Sequence, residues 1–293
     1  MSMRSLAIGG MALLLLLGLS PSTIAQETEP ATTLSCGDCH EQAQTFIRNP
    51  HARASVVDGV IPNPVCESCH GDGTAHMEAG GDTTLIQVPR GFSGANETCL
   101  SCHDTATDRR SHRTGAHANS KAVNCFSCHK IHNEAHGLLA APDPALCSSC
   151  HSTQAASFRN KPYTHRIGAG LVCSTCHEPH SRAGEESIRR TPAGEKVCLS
   201  CHTEKRGPYV FQHAGVAIGD CAACHEPHGS GNPNQLRRSS VAQVCMECHS
   251  PITTHNLGSI PPAFHNLNNS RYLNCTTCHV AIHGSNRSPA LLK

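Results

Sequence analysis

Ten short segments of this chain combine two cysteines and a histidine at a spacing that can hold an iron porphyrin. Each has the form C-x-x-C-H. On one helical turn the two sulfurs face the same side and can form thioethers with the vinyl groups of haem, and the histidine can bind the iron. The cysteine pairs are Cys36/Cys39, Cys66/Cys69, Cys99/Cys102, Cys125/Cys128, Cys147/Cys150, Cys173/Cys176, Cys198/Cys201, Cys221/Cys224, Cys245/Cys248 and Cys275/Cys278.

The regularity of these segments decides between several chemistries. A single C-x-x-C could be part of a zinc site, a thioredoxin-like redox pair or two disulfide partners. A zinc protein has no reason to place histidine after every pair, and a disulfide scaffold does not need the fixed spacing. Because all 20 cysteines belong to these motifs, we predict ten covalently attached c-type haems. The predicted proximal iron ligands are His40, His70, His103, His129, His151, His177, His202, His225, His249 and His279.

Each iron is expected to take a second axial ligand, and histidine is the residue type available for it. Thirteen histidines lie outside the motifs. After Ala25 the chain has two methionines, Met77 and Met246, and Met246 lies between two attachment cysteines. We therefore predict bis-histidine ligation, which gives lower potentials than His/Met ligation.

Placement along the chain selects ten distal candidates. His132, His180, His228 and His283 follow a motif histidine by three or four positions, too close to reach around their own porphyrin, so we expect each to bind a neighbouring haem. Six further candidates lie farther past a motif, and they are His51, His76, His117, His165, His213 and His255. The remaining three, His112, His136 and His265, are expected to be solvated or bonded to haem propionates.

The elements that position these residues are predicted to be short. Trp is absent, aromatic residues make up 3%, and the 38% of hydrophobic residues includes the cysteines, too little for the core of a chain this long. Haems are expected to form the core, and folding to be coupled to their attachment. The interval between successive motifs leaves room for one short helix and one loop, and strand-like alternation is absent. The predicted fold class is therefore a multihaem cytochrome c, mostly loop with short α-helices, no significant sheet and an elongated form.

Local signals predict some helix starts and loops. Asp143-Pro144 and Thr191-Pro192 are each typical of a cap followed by proline at the first helical position. Ser240 with Gln243 predicts a capping box. Glycine- or proline-containing segments 71–81, 229–232 and 258–262 are predicted to be loops.

The segment from Met1 to Ala25 has the features of a cleavable export signal. Arg4 precedes an apolar run from Leu6 to Leu19, and Thr23-Ile24-Ala25 resembles a cleavage site. The run is short for a membrane span. We predict an exported, soluble mature protein in the periplasm.

Charge argues against a nucleic-acid partner. Without Arg4 the mature chain has 22 basic and 22 acidic residues, and each ferric haem with two propionates adds one negative charge. The oxidised holoprotein is therefore expected to be about ten units more negative than the chain alone. Paired arginines are expected to bind propionates or stay solvated, and they are Arg109, Arg110, Arg189, Arg190, Arg237 and Arg238.

Several stretches resemble the periplasmic decahaem cytochromes of the MtrA, DmsE and PioA type, which work in porin–cytochrome electron conduits. They are Cys-His-Thr-Glu-Lys-Arg-Gly-Pro at 201–208, Cys-His-Glu-Pro-His at 176–180 and 224–228, and the segment 278–286. The resemblance implies two pentahaem halves, 26–168 and 169–293. It also implies an MtrB-like outer-membrane β-barrel as partner and association with that membrane through it. Further implied partners are inner-membrane or periplasmic cytochromes and an extracellular multihaem cytochrome or reductase.

Three classes of function fit this pattern. An electron conduit needs closely packed, fully ligated haems. A multihaem nitrite, hydroxylamine or tetrathionate reductase usually marks its reactive haem by lysine in the motif or by an open sixth position, and every motif here ends in histidine. Electron storage, or a soluble periplasmic shuttle, differs from a conduit only in its partners. We expect an electron carrier rather than an enzyme, serving metal oxide or dimethyl sulfoxide reduction or Fe(II) oxidation, with the direction of flow open.

Overall fold

The computed structural model describes residues 34–103, 115–119, 123–134, 136–168, 170–181, 187–249 and 270–292. The predicted export signal lies outside these residues, as do His112, His255 and His265 and the 258–262 loop. All ten motifs are described.

Short helices separated by loops make up the described chain. The α-helices are α1 (Gln42–Phe46), α2 (Asn63–His70), α3 (Thr74–Glu78), α4 (Gly91–His103), α5 (Ala116–Asn119), α6 (Cys125–Cys128), α7 (Ala145–Ser148), α8 (Ser152–Asn160), α9 (Cys173–Cys176), α10 (Ala214–Ala217) and α11 (Val241–Met246). The 3₁₀ turns span Cys36–Asp38, Thr83–Leu85, His136–Leu138, Val197–Ser200, Thr203–Lys205, Cys221–Ala223, Pro233–Gln235, Ser270–Tyr272 and Cys275–Thr277. Where the chain is described, β-pairing is limited to isolated bridges. This confirms the predicted loop-rich fold class with short helices.

The chain buries very little apolar surface of its own. Among the described residues the buried hydrophobic side chains are Ala52, Ile61, Ala95, Leu138, Val244 and Leu291. The largest side chain that is fully buried there is polar, that of Asn49. A domain of this size normally rests on a far larger aliphatic core, so the described elements are organised around something other than their own side chains.

Local signals predicted helix starts with mixed success. The capping box is confirmed, because Gln243 N donates to Ser240 Oγ (3.2 Å) and Ser240 N donates to Gln243 Oε1 (3.3 Å). The two proline-based starts are wrong. Pro144 itself is the N-cap of α7, and Thr191 closes a tight turn with Glu195 instead of starting a helix. The predicted 71–81 loop also contains a helix, α3.

The chain divides into two units, Met1–Leu34 and Ser35–Lys293, and the second contains all ten motifs. The division of this second unit into two pentahaem halves stays a prediction. Among the described residues, none of the helices is both long and apolar enough to cross a membrane.

Candidate haem sites

Each C-x-x-C-H motif forms one helical turn. In eight motifs the backbone N–H of the histidine donates to the carbonyl of the first cysteine at 2.9 to 3.0 Å. The second and third motifs form the C-terminal turns of α2 and α4. Residues three apart lie on one face of such a turn, so the two sulfurs of each motif can face one porphyrin. None of these cysteines forms a disulfide in the structure, so each Sγ is available to bond a vinyl group.

The two cysteines of a motif differ in exposure. The first cysteine is half-buried in all ten motifs, whereas the second is exposed in seven. These exposed residues are Cys39, Cys102, Cys150, Cys176, Cys201, Cys248 and Cys278.

The polypeptide covers the first sulfur of each turn and leaves the second open in these seven motifs. A sulfur that bonds a porphyrin needs one side clear of protein atoms, so exposure to solvent is compatible with attachment. It is unfavourable for a structural zinc site, whose thiolates are enclosed by their own ligand shell.

Nine motif histidines each face one histidine from outside the motifs. Their ring centroids are 5.8 to 6.3 Å apart. The pairs, motif histidine first, are His40/His76, His70/His132, His103/His51, His129/His180, His151/His117, His177/His228, His202/His165, His225/His283 and His249/His213.

This separation fits one metal atom between two imidazoles. Imidazole–metal bonds are about 2 Å long, so two imidazoles on one metal place their ring centroids about 6 Å apart. Direct contact between two rings would bring their atoms to about 3.5–4 Å. The same separation recurs in nine pairs, each of one motif and one non-motif histidine. Such recurrence indicates a specific arrangement, because histidines that were close by chance would not share one separation.

Hydrogen bonds at Nδ1 set the tautomer that a metal ligand needs. The motif histidines with a backbone carbonyl 2.6 to 2.9 Å from Nδ1 are His70, His129, His225 and His279, bonded to Gln87, Gly137, Asn234 and Ala290. His76, His117 and His165 do the same with Asp82, Pro179 and Pro227 at 2.9 to 3.2 Å. A carbonyl can only accept, so Nδ1 carries the hydrogen and Nε2 is the metal-binding nitrogen.

Burial reinforces this preference. It lowers the pKa of His132, His177, His213 and His283. A lowered pKa favours the neutral imidazole, which is the form that coordinates metal.

The pairs follow a simple rule along the chain. In motifs two, four, six and eight, the motif histidine pairs with a non-motif histidine that closely follows a motif two further along the chain. His70 of motif two, for example, pairs with His132, which follows motif four. In motifs three, five, seven and nine, the motif histidine pairs with a non-motif histidine that follows a motif two before it in the chain. His103 of motif three, for example, pairs with His51, which follows motif one. The first motif pairs with His76, which follows the second.

Neighbouring cysteines connect each odd-numbered motif to the next even-numbered one. Burial and the nearby Cys36 thiol raise the pKa of Cys66 to about 11. A hydrogen bond with Cys125 raises the pKa of Cys99. The corresponding pairs further along the chain are Cys147/Cys173, Cys198/Cys221 and Cys245/Cys275.

A second set of cysteine neighbours connects the even-numbered motifs to the odd-numbered motifs that follow. Burial and then the neighbouring Cys150 raise the pKa of Cys128. The other neighbours in this set are Cys69/Cys99, Cys176/Cys198 and Cys224/Cys248. With both sets, each motif from the first to the tenth is next to its successor in space.

Three side chains just before a motif tie it to its partner through the backbone. Asn63 Oδ1 accepts from Cys36 N (3.0 Å), and Asn96 Oδ1 accepts from Cys125 N (3.2 Å). Asp143 accepts from Cys173 N (3.0 Å) and Ser174 N (2.9 Å). Burial alone would raise the pKa of Asp143, but these hydrogen bonds outweigh burial and hold it below its ordinary value.

Asp143 also forms a three-residue cluster with Cys147 and Cys173, whose ligand atoms lie within 4.8 Å of one another. Because both cysteines belong to predicted attachment motifs, this cluster belongs to the candidate haem sites and is not a separate metal site. Sequence reasoning missed the role of Asp143, since it predicted a cap for the residue's own motif and the residue caps the next one.

Non-motif histidines of consecutive pairs also lie close together. His117 and His165 bond through Nδ1 to the carbonyls of Pro179 and Pro227, each of which directly precedes the non-motif histidine of the preceding pair. Phe211 and Ser285 form an antiparallel bridge two positions from His213 and His283.

Among the described paired arginines, two bind a motif carbonyl and also lie near a glutamate. Arg189 Nη1 donates to Ser174 O (2.9 Å), and Arg237 Nη1 donates to Ala223 O (3.2 Å). Arg189 and Arg237 also lie 3.6 and 3.9 Å from Glu178 and Glu247. Arg190 donates to Gly194 O and Arg238 pairs with Glu247, whereas Arg109 and Arg110 lie outside the described residues.

Three of the thirteen non-motif histidines lie outside the described residues. His255, the predicted distal ligand left for the tenth motif, lies outside the described residues, as do His112 and His265. The backbone of His136 lies in a 3₁₀ turn.

Comparison with known proteins recognises the same paired motifs. Residues 117–156, 165–207 and 213–254 match the family described as Doubled CXXCH motif. The multiheme cytochrome MtrA of Shewanella baltica (strain OS185) is 31% identical over 118 residues, which are 38% of this chain and 33% of that relative. The chain therefore has the paired motifs of multihaem c-type cytochromes and is similar to MtrA over part of its length.

The family matches reveal a repeat in this cytochrome that motif spacing alone had hidden. They begin at His117, His165 and His213, three non-motif histidines at equal intervals along the chain. The cytochrome spans about a third of the length of the relative it matches, and the repeat contains two motifs each time. Motif starts are unevenly spaced because the connecting loops differ in length.

Proposed function

We propose that this cytochrome is a decahaem electron conduit that carries electrons between the periplasm and the cell exterior inside an outer-membrane β-barrel. The observation that carries the proposal is the unbroken series of neighbouring cysteines from motif one to motif ten. An electron carrier for a single site would not need such a series, and a conduit cannot work without it.

In this proposal all 20 cysteines attach haem, and the nine histidine pairs are axial ligand pairs. Applying the arrangement of the first motif in reverse to the last motif gives the tenth ligand pair. The first motif uses the histidine that follows its neighbour, motif two, so the tenth motif histidine, His279, is expected to use His255, which follows motif nine.

When bound, haem c supplies a one-electron Fe(III)/Fe(II) couple. The chain's own residues determine what that couple can do. Two imidazoles at one iron leave no position for a substrate, and this supports an electron carrier over a reductase. In the seven histidines that have them, bonds from Nδ1 to carbonyls fix the plane of the ring and raise its basicity as a ligand, which favours low potentials.

Location and partners follow from the export signal and from the likeness to MtrA. We propose a periplasmic chain, cleaved after Ala25, that inserts into an MtrB-like barrel. Donor and acceptor cytochromes would meet it at either end. Ionised propionates and polar loops cannot face hydrocarbon without a large cost, so a protein sheath is needed wherever the series of haems passes through lipid.

Proteoliposomes test the proposal. Vesicles containing the cytochrome with its barrel, and enclosing a redox dye, should reduce the dye when dithionite is added outside, and neither protein alone should do so. A Cys147→Ala/Cys150→Ala double variant, which interrupts the series in the middle, should abolish transfer, whereas the matched control His112→Ala should not. Full transfer by the double variant, or native cytochrome found without a barrel in the soluble periplasmic fraction, would contradict the conduit and favour a shuttle.

A further inference from the structure

Asn49 is the largest fully buried side chain among the described residues, and it is polar. It lies two positions before His51, just after α1. A buried amide costs free energy unless its hydrogen-bonding groups are satisfied. Asn49 lies between two segments that each carry a proposed axial ligand, so its hydrogen-bond partners should come from those segments.

The side chain satisfies all of its groups with these two segments. Nδ2 donates to the carbonyls of Ile131 (2.6 Å) and Asn133 (2.8 Å), which flank His132. Oδ1 accepts from His51 N (2.9 Å) and lies 3.1 Å from His51 Nδ1. Carbonyls only accept and a backbone N–H only donates, so this network fixes which way the amide points.

Each contact acts on a different ligand. Because Oδ1 can only accept, His51 Nδ1 carries the hydrogen and Nε2 is directed to metal binding. The two Nδ2 bonds hold the loop around His132, whose ring Phe46 contacts edge-on at 5.6 Å. His51 faces His103 with the ring planes 86° apart, and His132 faces His70 with the planes 16° apart.

We propose that Asn49 is a positioning residue that sets the distal ligands of two successive haems, those of motifs two and three, with one side chain. This rests on the ligand pairs of the proposed function. The consequence is that the orientations of His51 and His132 cannot change independently. The two segments that carry the distal ligands of haems two and three are therefore held rigidly together. The tautomer of His51 depends on the loop that carries His132.

Two variants separate the two contacts. Asn49→Leu keeps the volume but removes every hydrogen bond. Asn49→Asp, with its carboxylate ionised, keeps the acceptor for His51 and loses the donors to Ile131 and Asn133. It has nearly the same size as asparagine and tests the proposal even if Asn49→Leu fails to load haem. Arg48→Ala is the matched control, since Arg48 binds Glu134 at the exposed surface of the same two segments (2.9 Å).

Electron paramagnetic resonance of the oxidised cytochrome, with haem loading checked by intact mass, gives the readout. Low-spin ferric signals depend on the angle between the two imidazole planes. Asn49→Leu should change signals of both the near-parallel and the near-perpendicular kind and raise the potentials of both haems. Asn49→Asp should change the near-parallel kind alone, and Arg48→Ala should change nothing.

Unchanged signals and potentials in a fully loaded Asn49→Leu variant would overturn the proposal, and equal effects of the two Asn49 variants would overturn the division of roles. Neither result depends on the barrel. If the spectra are as expected but the vesicles transfer no electrons, the conduit is rejected and Asn49 remains a positioning residue. If the wild-type protein shows no bis-histidine signals, the ligand pairs themselves are rejected.

Discussion

At the scale of the residue, the angle between paired imidazoles separates the sites into two kinds. The pairs of motifs one, two, four, six and eight have interplanar angles of 11° to 25°. The pairs of motifs three, five, seven and nine have angles of 48° to 86°. Along most of the series, the near-parallel and tilted kinds therefore alternate.

This alternation predicts two families of low-spin signals. Because the imidazole planes set the splitting of the iron d orbitals, paramagnetic resonance of the oxidised protein should contain near-parallel and tilted components in comparable amounts. Spin quantitation of the two components checks it. A spectrum made of one component alone would show that the ring orientations of the holoprotein differ from those described here.

Removing one distal ligand should create one five-coordinate haem. His180→Ala takes away the ring that lies 6.1 Å from His129, and no other ligand is expected to replace it. The near-parallel component should lose one haem, and a high-spin ferric signal should appear that responds to added imidazole. His112→Ala, which changes a histidine left outside the proposed ligand set, serves as the control and should leave the spectrum unaltered.

At the scale of the element, the helical turns that carry the motifs are held by side chains from other motifs. Asp143→Ala removes two hydrogen bonds to the turn of motif six. Charged hydrogen bonds contribute about 1.5–3 kcal/mol each, so thermal stability should fall. The splitting of the haem absorption band in circular dichroism should also change, because motifs five and six lose a connection.

Asp220→Ala is the matched control for that experiment. Asp220 accepts from Ala223 N (3.1 Å) in the motif that directly follows it, and loss of such a cap costs about 0.5–2 kcal/mol. Its variant should melt earlier but keep the wild-type splitting. If both variants change the splitting equally, a connecting role for Asp143 is contradicted. Asp143→Asn keeps an acceptor and should restore part of the splitting that Asp143→Ala loses.

Gly284 illustrates an element boundary where only glycine fits. Its φ is +152°, and a Cβ there would overlap the ring of Tyr209. Gly284→Ala should lower stability by about 1–3 kcal/mol and disturb the site of its neighbour, His283. Gly231→Ala provides the comparison in a thermal melt, since an added Cβ meets nothing within 4 Å there, and equal melting temperatures would contradict the steric argument.

These elements show where sequence reasoning succeeds and where it stops. The motifs, the bis-histidine supply and the loop-rich fold follow from residue types and local spacing. The partner of each motif histidine does not, since His129 and His180 lie far apart along the chain and meet only through the packing of separate loops. Asp143 was assigned to the wrong helix for the same reason. A cap that acts on a distant segment has the same local sequence as one that acts on its own.

At the scale of the whole molecule, bound haem should change the charge of the protein more than any described side chain. The sequence pI is 7.6, and the part of the chain after Ala25 is balanced at 22 basic and 22 acidic residues. Each ferric haem with two ionised propionates adds one net negative charge, so ten of them add about ten. Arg189 and Arg237, which could offset propionates, are already engaged with Glu178 and Glu247.

Isoelectric focusing of the oxidised cytochrome, first shown by intact mass to be cut after Ala25 and to contain ten haems, should therefore give a pI well below 7.6. Reduction adds one electron per iron without adding a proton to the chain, so the reduced protein should focus lower still. The same chain produced without haem attachment should focus near its sequence value. A holoprotein that focuses with the apoprotein would mean that its propionates are protonated or neutralised by nearby cations, and the case for an insulating sheath around ionised propionates would then fail.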